Sequence, residues 1–131
     1  MPEERETHLQ HAEYALDLLD CRVQENAYGE VEGIDTLHIG LDALSDSIAR
    51  LVDLPDTDEA WMLEDVLAYL EAHGRVEFGT IRLASLVREG IKKATYKGLD
   101  ATSISELNHS LRELHATLSE LLSSIREHGD G

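Results

Sequence analysis

Seven histidines and 27 acidic residues in a chain of 131 offer the ligand types of a transition-metal site, so metal chemistry is the first reading to weigh. Helical bundles hold such metals with a Glu from some helices and a Glu-x-x-His from others, all turned inward. The chain carries that motif at Glu106-Leu107-Asn108-His109 and nowhere else, and a di-metal site needs it twice. With Ile104 and Leu107 at positions a and d of a heptad, Glu106 falls at c and His109 at f, on the outer face. His8, His38, His73 and His115 lie at e or g positions beside their seams and form the candidate metal set. The same positions suit histidines that pack an apolar body and keep a polar tip wet. His8-x-x-His11 turns His11 away from the seam, and the spacing of His73 and Glu77 crosses Gly74. No cofactor is expected.

Nucleophilic chemistry has less to build on. Cys21 is the single cysteine, which excludes an internal disulfide and a Cys-based zinc site, and no base accompanies it beside Arg22. A small hydrophobe is its expected role. Ser45, Ser47, Ser85, Ser123 and Ser124 fall within helical patterns, away from any nucleophile elbow. The glycines at 29, 33, 74 and 79 follow no strand and precede no Lys-Ser or Lys-Thr pair, so there is no phosphate loop. Arg5 and His11 share a spacing used by some helical ribonucleases but sit at a fraying terminus. No catalytic residue is assigned.

Charge is more informative. The formal net charge is −16, yet it is unevenly spread: residues 1–74 sum to −16, residues 99–131 to −4, and residues 75–98 to +4. All three lysines of the chain lie in that cationic stretch. Arg82, Arg88, Lys92, Lys93 and Lys97 are the candidate partner or anion contacts, with Arg88/Lys92 and Lys93/Lys97 one helical turn apart. The competing expectation is internal: this helix neutralises acidic helices beside it, or those of a second copy. A field of −20 from the remainder repels polyanions, which argues against non-specific nucleic-acid binding. Acids outnumber lysines nine to one, a skew that fits a salt-rich cytoplasm, where strong screening removes most carboxylate repulsion.

The elements that must position these residues are helical. Apolar residues recur in steps of three and four: Leu9, Ala12, Leu16, Leu19, Val23; then Ile34, Leu37, Leu41, Leu44, Ile48, Leu51, closed by Pro55. A third series, Ala60, Leu63, Leu67 and Leu70, opens after the N-cap candidates Asp56 and Thr57 with Asp58 and Glu59 in its first turn, and ends at Gly74. The last runs Ile104, Leu107, Leu111, Leu114, Leu118, Leu121, Ile125 without an error, behind a capping box at Ser103 and Glu106. Between them Val76, Ile81, Leu83, Leu86, Val87 and Ile91 fit a helix less cleanly, and Gly74 and Gly79 break it. The 29–33 stretch reads as a loop.

The expected fold is therefore all-α: one domain over residues 1–131, an up-and-down four-helix bundle whose long third helix is broken or kinked near residues 74–79. An apolar content of 42% supports a core despite the acidity, and the charged stretch Met1 to Glu6 and the lack of a long apolar run point to a cytoplasmic protein without a membrane segment. The expected function is a non-enzymatic helical interaction protein of adaptor or assembly-chaperone type. It is expected to form a homodimer and to bind a protein partner, with Trp61, Phe78 and Tyr96 as scarce aromatics that anchor an interface; for Trp61 and Phe78 core burial is the stronger expectation. A His and carboxylate metal-binding bundle and a nucleic-acid regulator using residues 75–98 are the alternatives.

Overall fold

The chain's computed structural model describes residues 2–20, 23–25, 31–55, 61–96 and 100–127. Each apolar series becomes a helix: α1 Pro2–Leu18, α2 Ile34–Leu51, α3 Leu63–Ala72, α4 Phe78–Tyr96 and α5 Ala101–Glu127. The fold class is all-α as expected, but the third helix is not one long kinked rod. α3 and α4 are separate, which makes five helices among the described residues where a four-helix bundle was expected. The cause is local. Arg75 N–H reaches back to Leu70 C=O (2.9 Å) and Gly74 N–H to Glu71 C=O (2.9 Å), a complete Schellman motif with Gly74 at φ 71°. That left-handed residue turns the chain out of α3 before α4 begins.

α2 ends in the same way, with a less expected residue. Leu54 N–H bonds Ala49 C=O (2.9 Å) and Asp53 N–H bonds Arg50 C=O (3.3 Å), with Asp53 at φ 58° in the position that usually takes glycine. The helix stops before Pro55 is reached. At α5 the cap is Asp100, one turn ahead of the expected Ser103: its Oδ1 accepts the Ser103 N–H at 2.7 Å. That bond is the main reason the Asp100 carboxyl lies below its ordinary pKa, with a side-chain hydrogen bond from Ser103 and the field of Lys93 adding to it. The Asp56 to Ala60 start proposed for α3 lies outside the described residues.

Val23, read as the end of the first helix, lies beyond it. α1 tightens at its end through Leu19 N–H to Leu16 C=O (3.0 Å), and a two-residue antiparallel pairing follows, Gln24 with Glu32 and Glu25 with Val31. Asn108 on α5 holds Val23 in place: its Oδ1 accepts the Val23 N–H and its Nδ2 donates to the Val23 C=O, both at 2.9 Å. Trp61 fixes the approach to α3, its indole N–H donating to Pro55 C=O (2.9 Å) and its own carbonyl accepting the Ser45 hydroxyl.

Packed pairs form a ring, α1 against α2 and α5, α5 against α4, and α3 between α4 and α2. A single apolar cluster draws on all five helices, with the whole α5 seam from Leu107 to Ile125 inside it. Close approach is built in at two small residues. A Cβ on Gly40 would stand 3.0 Å from Leu18 Cβ and 3.2 Å from Ala15 O, and one on Gly90 would stand 2.8 Å from Leu107 Cδ1. The second contact sets the level at which α4 and α5 meet. No helix among the described residues is long and apolar enough to cross a membrane.

Candidate interaction surface

The cationic stretch divides on folding. Arg88 turns toward α3, where Nε and Nη2 bind the two carboxylate oxygens of Glu64 at 2.7 and 3.0 Å, with both side chains largely buried. It thus serves the internal neutralisation that was one of the two expectations, and it is not available as a surface contact. Arg82, Lys92 and Lys93 are exposed on α4, Arg75 is exposed just before it, and Lys97 lies outside the described residues. None of these four makes an ion pair among the described residues, whereas Arg50 binds Asp46 and Arg126 binds Glu6 and Glu13.

Arg75, Arg82 and Lys93 border a groove between α4 and α5. One stretch, of ≈ 710 Å³, is lined by Arg75, Arg82, Leu83 and Leu86 from one side and Glu113, Thr117, Glu120 and Leu121 from the other. The next, of ≈ 580 Å³, is lined by Leu86, Glu89, Gly90 and Lys93 facing Glu106, Leu107, His109 and Arg112. Leu86 belongs to both, so the groove is continuous past it. The α4 side mixes Arg75, Arg82 and Lys93 with Glu77 and Glu89, and the α5 side carries Glu106, Glu113 and Glu120 with Arg112.

Two apolar side chains stand out of this face. Leu86, one of the apolar residues of the less regular series, is 49% exposed, and Phe78, whose stronger expectation was burial, is 69% exposed at the start of α4. The reason is that α4 buries a different stripe, Thr80, Ala84, Val87 and Ile91, which leaves Phe78, Arg82, Leu86 and Lys93 outward. Trp61 is half-buried against the core, and the side chain of Tyr96 is outside the described set.

The four candidate metal ligands are not brought together. His8 is near the start of α1 and His38 near the start of α2, and the two helices run antiparallel, so these residues sit at opposite ends of the pair. His73 caps α3, its Nδ1 2.8 Å from Tyr69 C=O and its ring over the Tyr69 ring at 4.3 Å; His115 is mid-α5. Among the described residues no three His, Cys, Asp or Glu side chains are grouped to hold a metal. Glu106 and His109 are both exposed, as the heptad places them, and His109 Nε2 lies 3.0 Å from Glu113. Cys21 is outside the described residues.

What sequence reading missed is the acidic wall. Glu106, Glu113, Glu120 and Glu127 recur every seventh residue and are all exposed, so they form a line along α5. That period was available in the sequence. The partnership of Arg88 with Glu64 was not, since the two are 24 residues apart.

No protein-family model matches the chain, and no curated protein or solved structure does either.

Proposed function

We propose that this chain is a non-enzymatic helical interaction protein of adaptor or assembly-chaperone type, which self-associates and binds a protein partner in a salt-rich cytoplasm. One observation carries the reading: in a chain of net charge −16, Arg75, Arg82 and Lys93, exposed and without ion pairs among the described residues, line the α4–α5 groove with the half-exposed Leu86, and Phe78 stands exposed at the start of the same helix. Covering apolar side chains that stand half or more exposed favours association. The surplus of carboxylates elsewhere supports the salt-rich setting, since screening at about 3 Å in molar salt removes most of their repulsion.

Light scattering and thermal melts of the purified chain in dilute buffer and in molar salt test both halves. The expected result is a dimer in molar salt and a fold that gains stability as salt is added. A single-chain mass under every condition, together with stability that does not change with salt, contradicts the proposal.

A further inference from the structure

We propose that the first two turns of α1 are a salt-released strap, buckled onto the C-terminal end of α5 by Arg126. α1 is held in two different ways along its length. Its C-terminal half is clamped by packing: Ala12, Ala15, Leu16 and Leu19 are buried, and Gly40 lets α2 approach so closely that a Cβ there would stand 3.0 Å from Leu18 Cβ. Ahead of Leu9, none of the described side chains is buried. Two arginines join this end to α5. Arg126 Nη1 donates to both carboxylate oxygens of Glu6 at 3.1 and 3.3 Å, while its Nε and Nη2 donate to Glu13 Oε1 at 3.2 and 2.6 Å. Arg5 Nη2 donates to Ile125 C=O at 3.2 Å, one of the last carbonyls of α5, which have no partner within the helix.

One guanidinium thus bridges two carboxylates about two turns apart on α1. Glu13 belongs to the clamped half and Glu6 to the strap, so the Glu6 bonds are the catch. The three side chains are between 44% and 49% exposed, and salt reaches and screens such pairs. Arg88 and Glu64 lie deeper, at 18%, and are screened less. The response of the strap is therefore opposite in sign to the gain proposed for the fold as a whole, because an attraction is screened here and a repulsion there.

The contacts of Arg5 with Ile125 and of Val23 with Asn108 show that α1 and α5 run antiparallel. Leu9, one turn further along α1 than Arg5, is then level with Leu121 and Leu122, one turn back along α5 from Ile125. All four are buried in the one apolar cluster. Lifting the first two turns bares Leu9 and this end of the α5 seam. Ionic strength so sets the availability of an apolar face that is shut in dilute buffer.

The test is hydrogen–deuterium exchange of the full chain, read by mass spectrometry in about 0.1 M and about 1 M sodium chloride, between which the screening length falls from about 10 to about 3 Å. Amides of residues 6–11 are expected to exchange about two- to fivefold faster in the higher salt, the size of effect that exposed ion pairs give, while those of residues 41–50 in α2 do not speed up. Arg126→Gln is expected to bring the fast rate to dilute salt and to abolish the salt response. Arg112→Gln, which removes an exposed arginine of the same helix, should leave the pattern of the unmodified chain. Unchanged α2 exchange in each variant shows that it is folded. Equal rates at both salt concentrations in the unmodified chain overturn the strap, and a salt response that survives Arg126→Gln overturns the role of Arg126. Acceleration of both segments together shows opening of the whole fold and overturns a local device. None of these outcomes turns on whether the chain self-associates.

Discussion

Arg88 on α4 and Glu64 on α3 form a two-pronged ion pair, with Nε to Oε2 at 2.7 Å and Nη2 to Oε1 at 3.0 Å and 18% of each side chain exposed. It ties the short helix α3 to the cationic helix and takes one arginine out of the surface set. Removing one partner leaves a largely desolvated charge alone, whereas replacing both by apolar residues does not. Arg88→Ala should therefore cost about 2–3 kcal/mol in urea unfolding, reduced from the fully buried case by the remaining exposure. The double variant Arg88→Met/Glu64→Leu should recover most of that. Equal losses in the single and double variants would show the pair to be unimportant.

Asn108 meets both backbone groups of Val23, a residue with 0% exposure and 85 positions away. Asn108→Ala leaves a buried N–H and a buried C=O without partners, so a loss of about 2–4 kcal/mol is expected in the same unfolding measurement. Asn108→Asp keeps the acceptor for Val23 N–H but sets an anion against Val23 C=O, and it should fall close to the alanine variant at neutral pH. Hydrogen exchange at the Val23 amide should speed up in both.

The two helix stops make opposite predictions. Gly74 has φ 71° and open space around its missing Cβ, so Gly74→Ala should destabilise by about 1 kcal/mol through backbone strain alone. Asp53 holds φ 58° with a side chain, so Asp53→Gly should be neutral or stabilising by up to about 1 kcal/mol. Melting temperatures that move in the same direction for both would contradict the assignment of these turns.

At Asp100 the capping bond to Ser103 holds the carboxyl below its ordinary pKa. A depressed folded-state pKa gives stability that is present above the unfolded value, near 3.9, and lost as pH falls through the folded value. Asp100→Ala should lower the melting temperature at pH 7, and the gap from the unmodified chain should narrow steadily as pH drops below about 4. A gap that stays constant into acid would show that the charge is not involved.

Much of the architecture was legible because helix seams repeat large apolar residues. α5 shows this best, with every residue from Leu107 to Ile125 in the seam buried. α4 shows the limit. Its buried stripe uses Thr80 and Ala84, small or polar residues that do not register as core, while the larger Leu86 faces outward. Gly74 announced a break, but its depth depends on the Schellman bonds, and the end of α2 at Asp53 carried no glycine to mark it. The cationic stretch was visible from charge alone. Which of its members are spent inside the fold depends on tertiary packing, as Arg88 demonstrates.

The face bearing Leu86 is the one proposed to be covered by association. Sedimentation equilibrium in molar salt, comparing the unmodified chain with Leu86→Asp, tests it most directly. The expected result is a concentration-dependent rise of the unmodified chain toward twice its 14.6 kDa mass, with Leu86→Asp remaining at the single-chain value. A single-chain mass for both proteins over the whole concentration range would contradict it.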